Sequence, residues 1–242
     1  MLDTLTLRLS TTLRSWARKT GIISLITKHQ NSVCVGEDAY EQLFDNAMFR
    51  EIKLGDIIWD VGANIGSYTQ KFSEAVGSTG SVHAFEPSIA CFSALKTTCA
   101  HLQNVYCHSI ALGEKETILS MYMDKNVLGA SHSFVNSARS QEGAVNEVSM
   151  TSGDYLITQE KMKCPHIIKI DVEGYEEEVL QGLKKTLVKP ECRAIFCEIH
   201  FSMLCEKGQE HAPVRILKFL KATGFSIKWV DRSHIAAYKK TN

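Results

Sequence analysis

Residues 57–69 read IIWDVGANIGSYT, an apolar run that ends in an acid and then turns through Gly62 and Gly66 into a helical segment. Ile57, Ile58 and Trp59 have the β-branched and aromatic character of a buried strand, and the glycines stand where that strand must turn tightly. Such a turn brings backbone close to a ligand with no Cβ in the way, and the helix that follows offers unpaired N–H groups. Asp60 falls at the strand's carboxyl end, the edge at which open α/β sheets bind ligands. A strand–turn–helix unit of an α/β sheet is therefore expected here, with a small ligand above it.

The spacing discriminates between ligands. A dinucleotide fingerprint needs G-x-G-x-x-G, whereas this chain has Gly62-Ala63-Asn64-Ile65-Gly66, with Asn64 where the second glycine admits a pyrophosphate. Asn64 can still enter the left-handed region, and its amide offers hydrogen bonds to a smaller ligand. After the next strand, SVHAF at 81–85, comes Glu86-Pro87. That places a carboxylate somewhat beyond the roughly 20-residue interval at which an acid grips ribose hydroxyls in nucleotide-binding βαβ units.

DVGANIGSYT followed by HAFEP resembles the S-adenosylmethionine site of class I methyltransferases, in the wording of the FkbM-type family. KIDVEGYE at 169–176 and CRAIFCEIH at 192–200 are further matches, and the resemblance covers about residues 55–239. It implies a doubly wound, Rossmann-like α/β fold with a mostly parallel seven-stranded sheet and extra N-terminal helices. It also implies S-adenosylmethionine as cofactor, held by Asp60, Gly62, Asn64, Gly66, Ser67, Tyr68, Glu86 and Ala111. Residues leaving the third strand pass the adenine in this fold, which makes Ile110 and Ala111 candidates for its apolar wall.

A chain of 242 residues suits one α/β domain with a sizeable core. Residues 68–76 and 89–102 read as crossover helices, and strand–helix alternation with short turns indicates right-handed parallel units. The expected division is a helical extension over 1–54, packed on a methyltransferase domain over 55–242. Lys plus Arg and Asp plus Glu number 27 each, so no broad basic footprint for nucleic acid is expected. The eight cysteines form no C-x-x-C pair and follow no secretory signal, which points to reduced core thiols in a cytoplasmic protein and not to a zinc site. No apolar run approaches the roughly 20 residues of a membrane span.

Leu2, Leu5, Leu9, Leu13 and Trp16 recur at helical spacing among Arg8, Arg14, Arg18 and Lys19. This basic amphipathic pattern suits a helix packed on the domain, a membrane-surface helix through 1–19, or a transit peptide. Residues 31–55, with Tyr40, Leu43, Phe44, Met48 and Phe49, read as helix lying over the sheet edge or cofactor mouth. Residues 105–112 read as the third strand and its exit, 117–123 as a strand, and the Gly/Ser/Asn-rich stretch 126–146 as a loop or lid.

Residues 166–170 form a clear buried strand that delivers Lys169, Asp171, Glu173 and Glu176 to the sheet's carboxyl edge. CRAIFCEIH reads as another strand, bringing Glu198 and His200 to the same edge. Charged residues are seldom buried without partners, so either a site or a salt-bridged network of Lys169, Asp171, Glu198 and His200 is expected. Methyl transfer from a sulfonium needs an aligned nucleophile, and a hydroxyl nucleophile needs a base or a metal that lowers its pKa. His200, Asp171 and Glu173 suit either role. His200 is expected as the better base from its unperturbed pKa of about 6.5, with Asp171, Glu173 and Lys169 as the other catalytic candidates. No metal ligand set is assigned.

The resemblance thus implies O-methylation of a hydroxyl on a small molecule or glycan. A non-catalytic adenosyl-binding scaffold and an NAD-dependent oxidoreductase are the alternatives.

Overall fold

The computed structural model describes residues 37–123 and 144–240. In chain order the elements are α1 (Glu37–Phe49), β1 (Ile57–Val61), α2 (Ser67–Val76), β2 (Ser81–Phe85), α3 (Ile89–Cys99), β3 (Val105–His108), β4 (Ala111–Leu112), β5 (Thr117–Met123) and β6 (Ala144–Thr151). There follow α4 (Gly153–Thr158), β7 (Ile167–Ile170), α5 (Glu176–Gln181), α6 (Lys184–Leu187), β8 (Ala194–Glu198), α7 (Phe201–Glu206), α8 (Ala212–Ala222), β9 (Phe225–Trp229) and β10 (His234–Lys239).

Seven strands form one sheet in the order β3-β2-β1-β7-β8-β10-β9. All neighbours are parallel except β10, which runs antiparallel to both β8 and β9. The expected seven-stranded, mostly parallel sheet is present, with its last two strands paired antiparallel. β7 is buried at every position and β1 at all but its first, as strands covered on both faces must be. One face buries Trp59, Phe85, Ile168, Ile170, Ile195 and Leu220. The other buries Ile58, Phe72, Val76 and Phe196 together with Phe44 and Met48 of α1. Cys91, Cys99, Cys192 and Cys197 are buried in the core.

One reading of the sequence gains detail and another shifts. Within 105–112 the third strand ends at His108, and its exit includes β4, which pairs with β6 in a separate three-stranded sheet of order β4-β6-β5. Its partner β6 begins at Ala144, inside the stretch expected to be a loop, because residues 144–150 pair along the whole of β5. The rest of that loop, and the amphipathic pattern of residues 1–30, lie outside the described residues. So does most of the expected 1–54 extension, but its described part, α1, shares the sheet's core.

A histidine pair marks the β2–β3 edge. His83 Nδ1 lies 3.1 Å from His108 Nε2, and the rings stack on each other and on Tyr106 and Phe85. Burial, followed by the charges of His108 and Lys163, pushes His83 down to about 4, and burial also lowers His108. The unfolded chain takes up these protons first, so stability is fully present above the unfolded value of about 6.5 and falls as pH drops towards 4. Urea midpoints measured across that window should decline, and His83→Phe should flatten the decline; an unchanged slope would remove His83 as its source.

Candidate active site

The turn after β1 is fixed from below before any ligand is considered. Gly62 (φ 79°), Asn64 (φ 51°) and Gly66 (φ 92°) all take left-handed conformations. The N–H groups of Gly62 and Ala63 both donate to Phe85 O at 3.0 Å, stitching the turn to β2. A Cβ at Gly62 would overlap the backbone carbonyl of Asp171, and one at Gly66 would come within 2.8 Å of Leu95 Cδ1. These glycines are therefore demanded by a neighbouring strand's backbone and by a helix side chain. The expected need for ligand approach is not the only constraint on them. No side chain caps α2 at Gly66, an arrangement that leaves first-turn N–H groups to water or a ligand.

Glu86 closes the far side of the turn. It is buried, with Oε2 accepting from Asn64 N at 2.9 Å and Oε1 from Ser88 N at 2.8 Å. Each oxygen keeps a further lone pair for a hydroxyl donor. Burial raises its pKa, with the two N–H donors and the Lys169 charge opposing. Removing a charged hydrogen-bond acceptor of this kind costs about 1.5–3 kcal/mol. Glu86→Ala is accordingly expected to weaken S-adenosylmethionine binding by about 10²-fold in calorimetry. Unchanged affinity would take Glu86 out of the site.

Gly62, Asn64 and Glu86 share one cleft with Ile110, Ala111 and Leu112, and with Asp171, Val172 and Glu173 beyond β7. The other sequence candidates do not line it. Asp60 is fully buried beneath the turn, where Oδ2 accepts from Thr69 Oγ1 at 2.6 Å and Oδ1 lies 3.4 Å from Lys169 Nζ. Tyr68 donates its hydroxyl to Asp45 Oδ1 at 2.6 Å, tying α2 to α1. Ser67 and Gly66 open α2 beside the cleft. Lys169 is buried as well: its Nζ lies 3.3 Å from Asp171 Oδ2 and donates to Gly62 O at 3.2 Å. Burial disfavours its charge, but Asp60 and Asp171 outweigh that and raise its pKa. Lys169 thus joins the ends of β1 and β7 from beneath the turn and does not line the cleft.

Beside the cleft the carboxyl ends of β7 and β8 assemble a polar cluster. His200, expected at the end of a strand, lies just beyond β8 at the start of α7. Its Nδ1 lies 2.7 Å from Glu176 Oε1, and its Nε2 lies 3.6 Å from Asp171 Oδ1 and 3.8 Å from Glu198 Oε2. Glu176 Oε1 also accepts from Gly174 N at 2.8 Å, inside a turn where Glu173 has φ 50° and Gly174 φ 88°. A left-handed non-glycine residue costs roughly 1–2 kcal/mol, and this turn aims Glu173 at the cleft.

Burial disfavours charge on His200, but its hydrogen bond to Glu176 and the charges of Glu176, Glu198 and Asp171 outweigh it, so its pKa is raised. The surrounding carboxylates thus favour the protonated imidazole, the direction opposite to the one a base at neutral pH calls for. Asp171 stays below the usual carboxylate range: burial works to raise it, but the charges of Lys169 and His200 prevail. Burial pushes Glu173 up to about 7, with the His200 charge opposing and those of Asp171, Glu198 and Glu86 reinforcing.

Sequence reasoning missed the second histidine. His234 Nε2 lies 3.4 Å from Glu198 Oε2, and its Nδ1 lies 2.7 Å from Asp231 Oδ2. Both belong to the β9–β10 hairpin, and the register that pairs His234 with Glu198 supplies the contact. The available signal was the reversed last strand beside β8, which brings the start of β10 to the same edge.

The strand order, with β10 reversed next to the edge, the acid near the end of β1 and the acid after β2 define a class I methyltransferase. Its cofactor is S-adenosylmethionine, and the residues present fit it: a glycine turn, a buried carboxylate with spare acceptor positions, and an apolar wall at Ile110–Leu112. The chain belongs to the FkbM methyltransferase family, whose domain matches residues 60–227. A hexuronic acid methyltransferase, AglP, of Haloferax volcanii is 28% identical over 162 residues, which cover 66% of this chain and 62% of that protein. A 31-O-demethyl-FK506 methyltransferase, FkbM, of Streptomyces tacrolimicus is 24% identical over 220 residues, covering 78% of this chain and 81% of its own. A solved structure from Clostridium thermocellum, described as an rRNA methylase, shares the fold with a TM-score of 0.50 at 13% identity, covering 86% of this chain and 99% of that one. No helix among the described residues is long and apolar enough to cross a membrane.

Proposed function

We propose that this chain is an S-adenosylmethionine-dependent O-methyltransferase whose acceptor is a hydroxyl of a small molecule or glycan. One observation carries the reading: Asp171 lines the cofactor cleft and also stands 3.6 Å from His200 in the polar cluster. An acceptor hydroxyl held by that cluster is therefore beside the cleft. When bound, the cofactor supplies an electrophilic methyl group on a sulfonium with a good leaving group. The protein's share is alignment and proton removal. Glu86 and the Gly62–Gly66 turn fix one partner; Asp171 and His200 orient the other, and Glu173 and Glu198 give its proton an acceptor. The two named relatives support oxygen as the target, one being named for a 31-O-demethyl substrate and the other for a hexuronic acid, whose hydroxyl and carboxylate groups both present oxygen.

Acceptor choice is assigned in part to the helical segment before β1. The Phe44 ring of α1 lies 4.2 Å from the His234 ring, so this segment reaches the cluster while the cofactor turn begins only after it. The test is transfer of label from methyl-labelled S-adenosylmethionine to a pool of hydroxylated small molecules and glycans, followed by mass analysis. One or more products heavier by a methyl group are expected. A chain that binds the cofactor yet labels nothing in the pool would favour the non-catalytic scaffold.

A further inference from the structure

We propose that Asp171, Glu198 and His200 form a binding site for one first-row divalent cation, with Glu176 as its orienting partner. The methyltransferase reading is needed only for what the cation does, not for its binding.

One ligand atom from each of the three residues lies within 4.8 Å of the other two, and all three side chains are partly open to solvent. From His200 Nε2 it is 3.6 Å to Asp171 Oδ1 and 3.8 Å to Glu198 Oε2. Ligands at about 2.0–2.2 Å from a common metal lie roughly 3–3.6 Å apart, so small side-chain shifts close the set. The histidine is already oriented as a ligand. Its Nδ1 is held by a carboxylate, Glu176 Oε1 at 2.7 Å, which turns Nε2 towards the two acids, an arrangement that recurs around metal-bound imidazoles. Glu198 is held through its other oxygen, Oε1, which accepts from Ser233 Oγ at 3.4 Å, while Oε2 also lies 3.4 Å from His234 Nε2.

The charges point the same way. Lys169 is shared between Asp60 and Asp171, and among the described residues the fully buried Glu176 has His200 as its one ion-pair partner. Glu176 Oε2 and Glu173 Oε2 are both buried without a hydrogen-bond partner. Asp171, Glu173, Glu176 and Glu198 thus share His200, a part of Lys169 and, at Glu198, the His234 imidazole that Asp231 also holds, and four carboxylates so enclosed leave room for further positive charge. A divalent cation bound through His200 supplies it. An imidazole with two carboxylates suits Mn²⁺, Fe²⁺, Co²⁺ or Zn²⁺ better than Ca²⁺ or Mg²⁺. Three protein ligands leave positions for water or for an acceptor hydroxyl, which a cation makes easier to deprotonate.

The full chain, stripped with EDTA and exchanged into chelator-free buffer, is titrated with Mn²⁺ by calorimetry and by the paramagnetic resonance signal of the free ion. One Mn²⁺ per chain is expected. His200→Ala and Glu198→Gln should each weaken it at least tenfold, and Glu176→Gln by about 10–100-fold, with circular dichroism unchanged. Co²⁺ added to the unmodified chain should develop visible bands of a nitrogen–oxygen site, a readout that needs no variant. Absence of saturable Mn²⁺ and of Co²⁺ bands in a folded chain would overturn the proposal, as would equal Mn²⁺ affinity in folded variants. A parallel S-adenosylmethionine titration separates the two readings: cofactor binding without Mn²⁺ binding overturns only this site, and the reverse overturns only the methyltransferase reading.

Discussion

Gly62→Val is expected to abolish the folded domain, not merely its cofactor affinity. The new Cβ would meet the backbone carbonyl of Asp171, which cannot swing aside as a side-chain end can. The position also has φ 79°, where a β-branched residue adds strain of at least about 1–2 kcal/mol. Together these exceed the roughly 0.5–3 kcal/mol of an ordinary substitution and reach the class of backbone clashes that cost about 4 kcal/mol or more. Thermal and urea melts of Gly62→Val beside Asn64→Ala decide the matter. Asn64 is exposed but has φ 51°, which suits Asn better than Ala, so its truncation should cost only about 1 kcal/mol, far less than Gly62→Val, while loosening the cofactor turn. A Gly62→Val protein melting within a few degrees of the unmodified chain would mean that β1 and β7 do not approach as described.

Asp171→Asn and His200→Ala are each expected to cut turnover by about 10²-fold or more, the scale of general acid–base catalysis, with near-normal cofactor affinity. Asp171 faces both ways: Oδ2 meets Lys169 at 3.3 Å and Oδ1 meets His200 at 3.6 Å. The Asn variant keeps the shape but loses the charge on both sides. Lys169→Met is the control, since it removes the buried ammonium that joins Asp60 to Asp171 without touching the cleft. It should lower stability more than the other two variants do. Turnover surviving in both site variants would leave positioning as the sole catalytic device, whereas loss of folding in both would reduce the cluster to a structural ion network.

What the sequence made legible follows from range. The strand–turn–helix at 57–69 and the acid after β2 are local signals, and apolar runs such as 167–170 can hardly be anything but buried strands. Lys169 and Asp171 are two residues apart in KIDVEGYE and were expected in one site or ion network, and their ends lie 3.3 Å apart. The roles of the glycines and of Lys169 were less legible, because each depends on what the neighbouring strand presents. Gly62 faces the carbonyl of a residue more than a hundred positions away, and Lys169 donates back to Gly62 O.

Pairings across β8, β10 and α5 were the least legible. Glu176 was visible as an acid in KIDVEGYE, but not as the group that holds His200, and no motif singled out His234. The raised pKa of His200 follows from carboxylates drawn from two separate segments, Asp171 and Glu176 of KIDVEGYE and Glu198 of β8, and no spacing rule in the chain encodes that meeting.

The account rests on methyl transfer to an acceptor hydroxyl at the Asp171–His200 edge, and the bond formed tests it most directly. The full chain is incubated with methyl-labelled S-adenosylmethionine and a uronic-acid-bearing oligosaccharide, and the labelled product is treated with mild alkali. An ether made on a hydroxyl keeps its label through that treatment, and both the product and its dependence on Asp171 and His200 are predicted. Label released by alkali would show an ester made on the carboxylate, and label transferred equally well by Asp171→Asn and His200→Ala would place the chemistry elsewhere; either result would contradict the account.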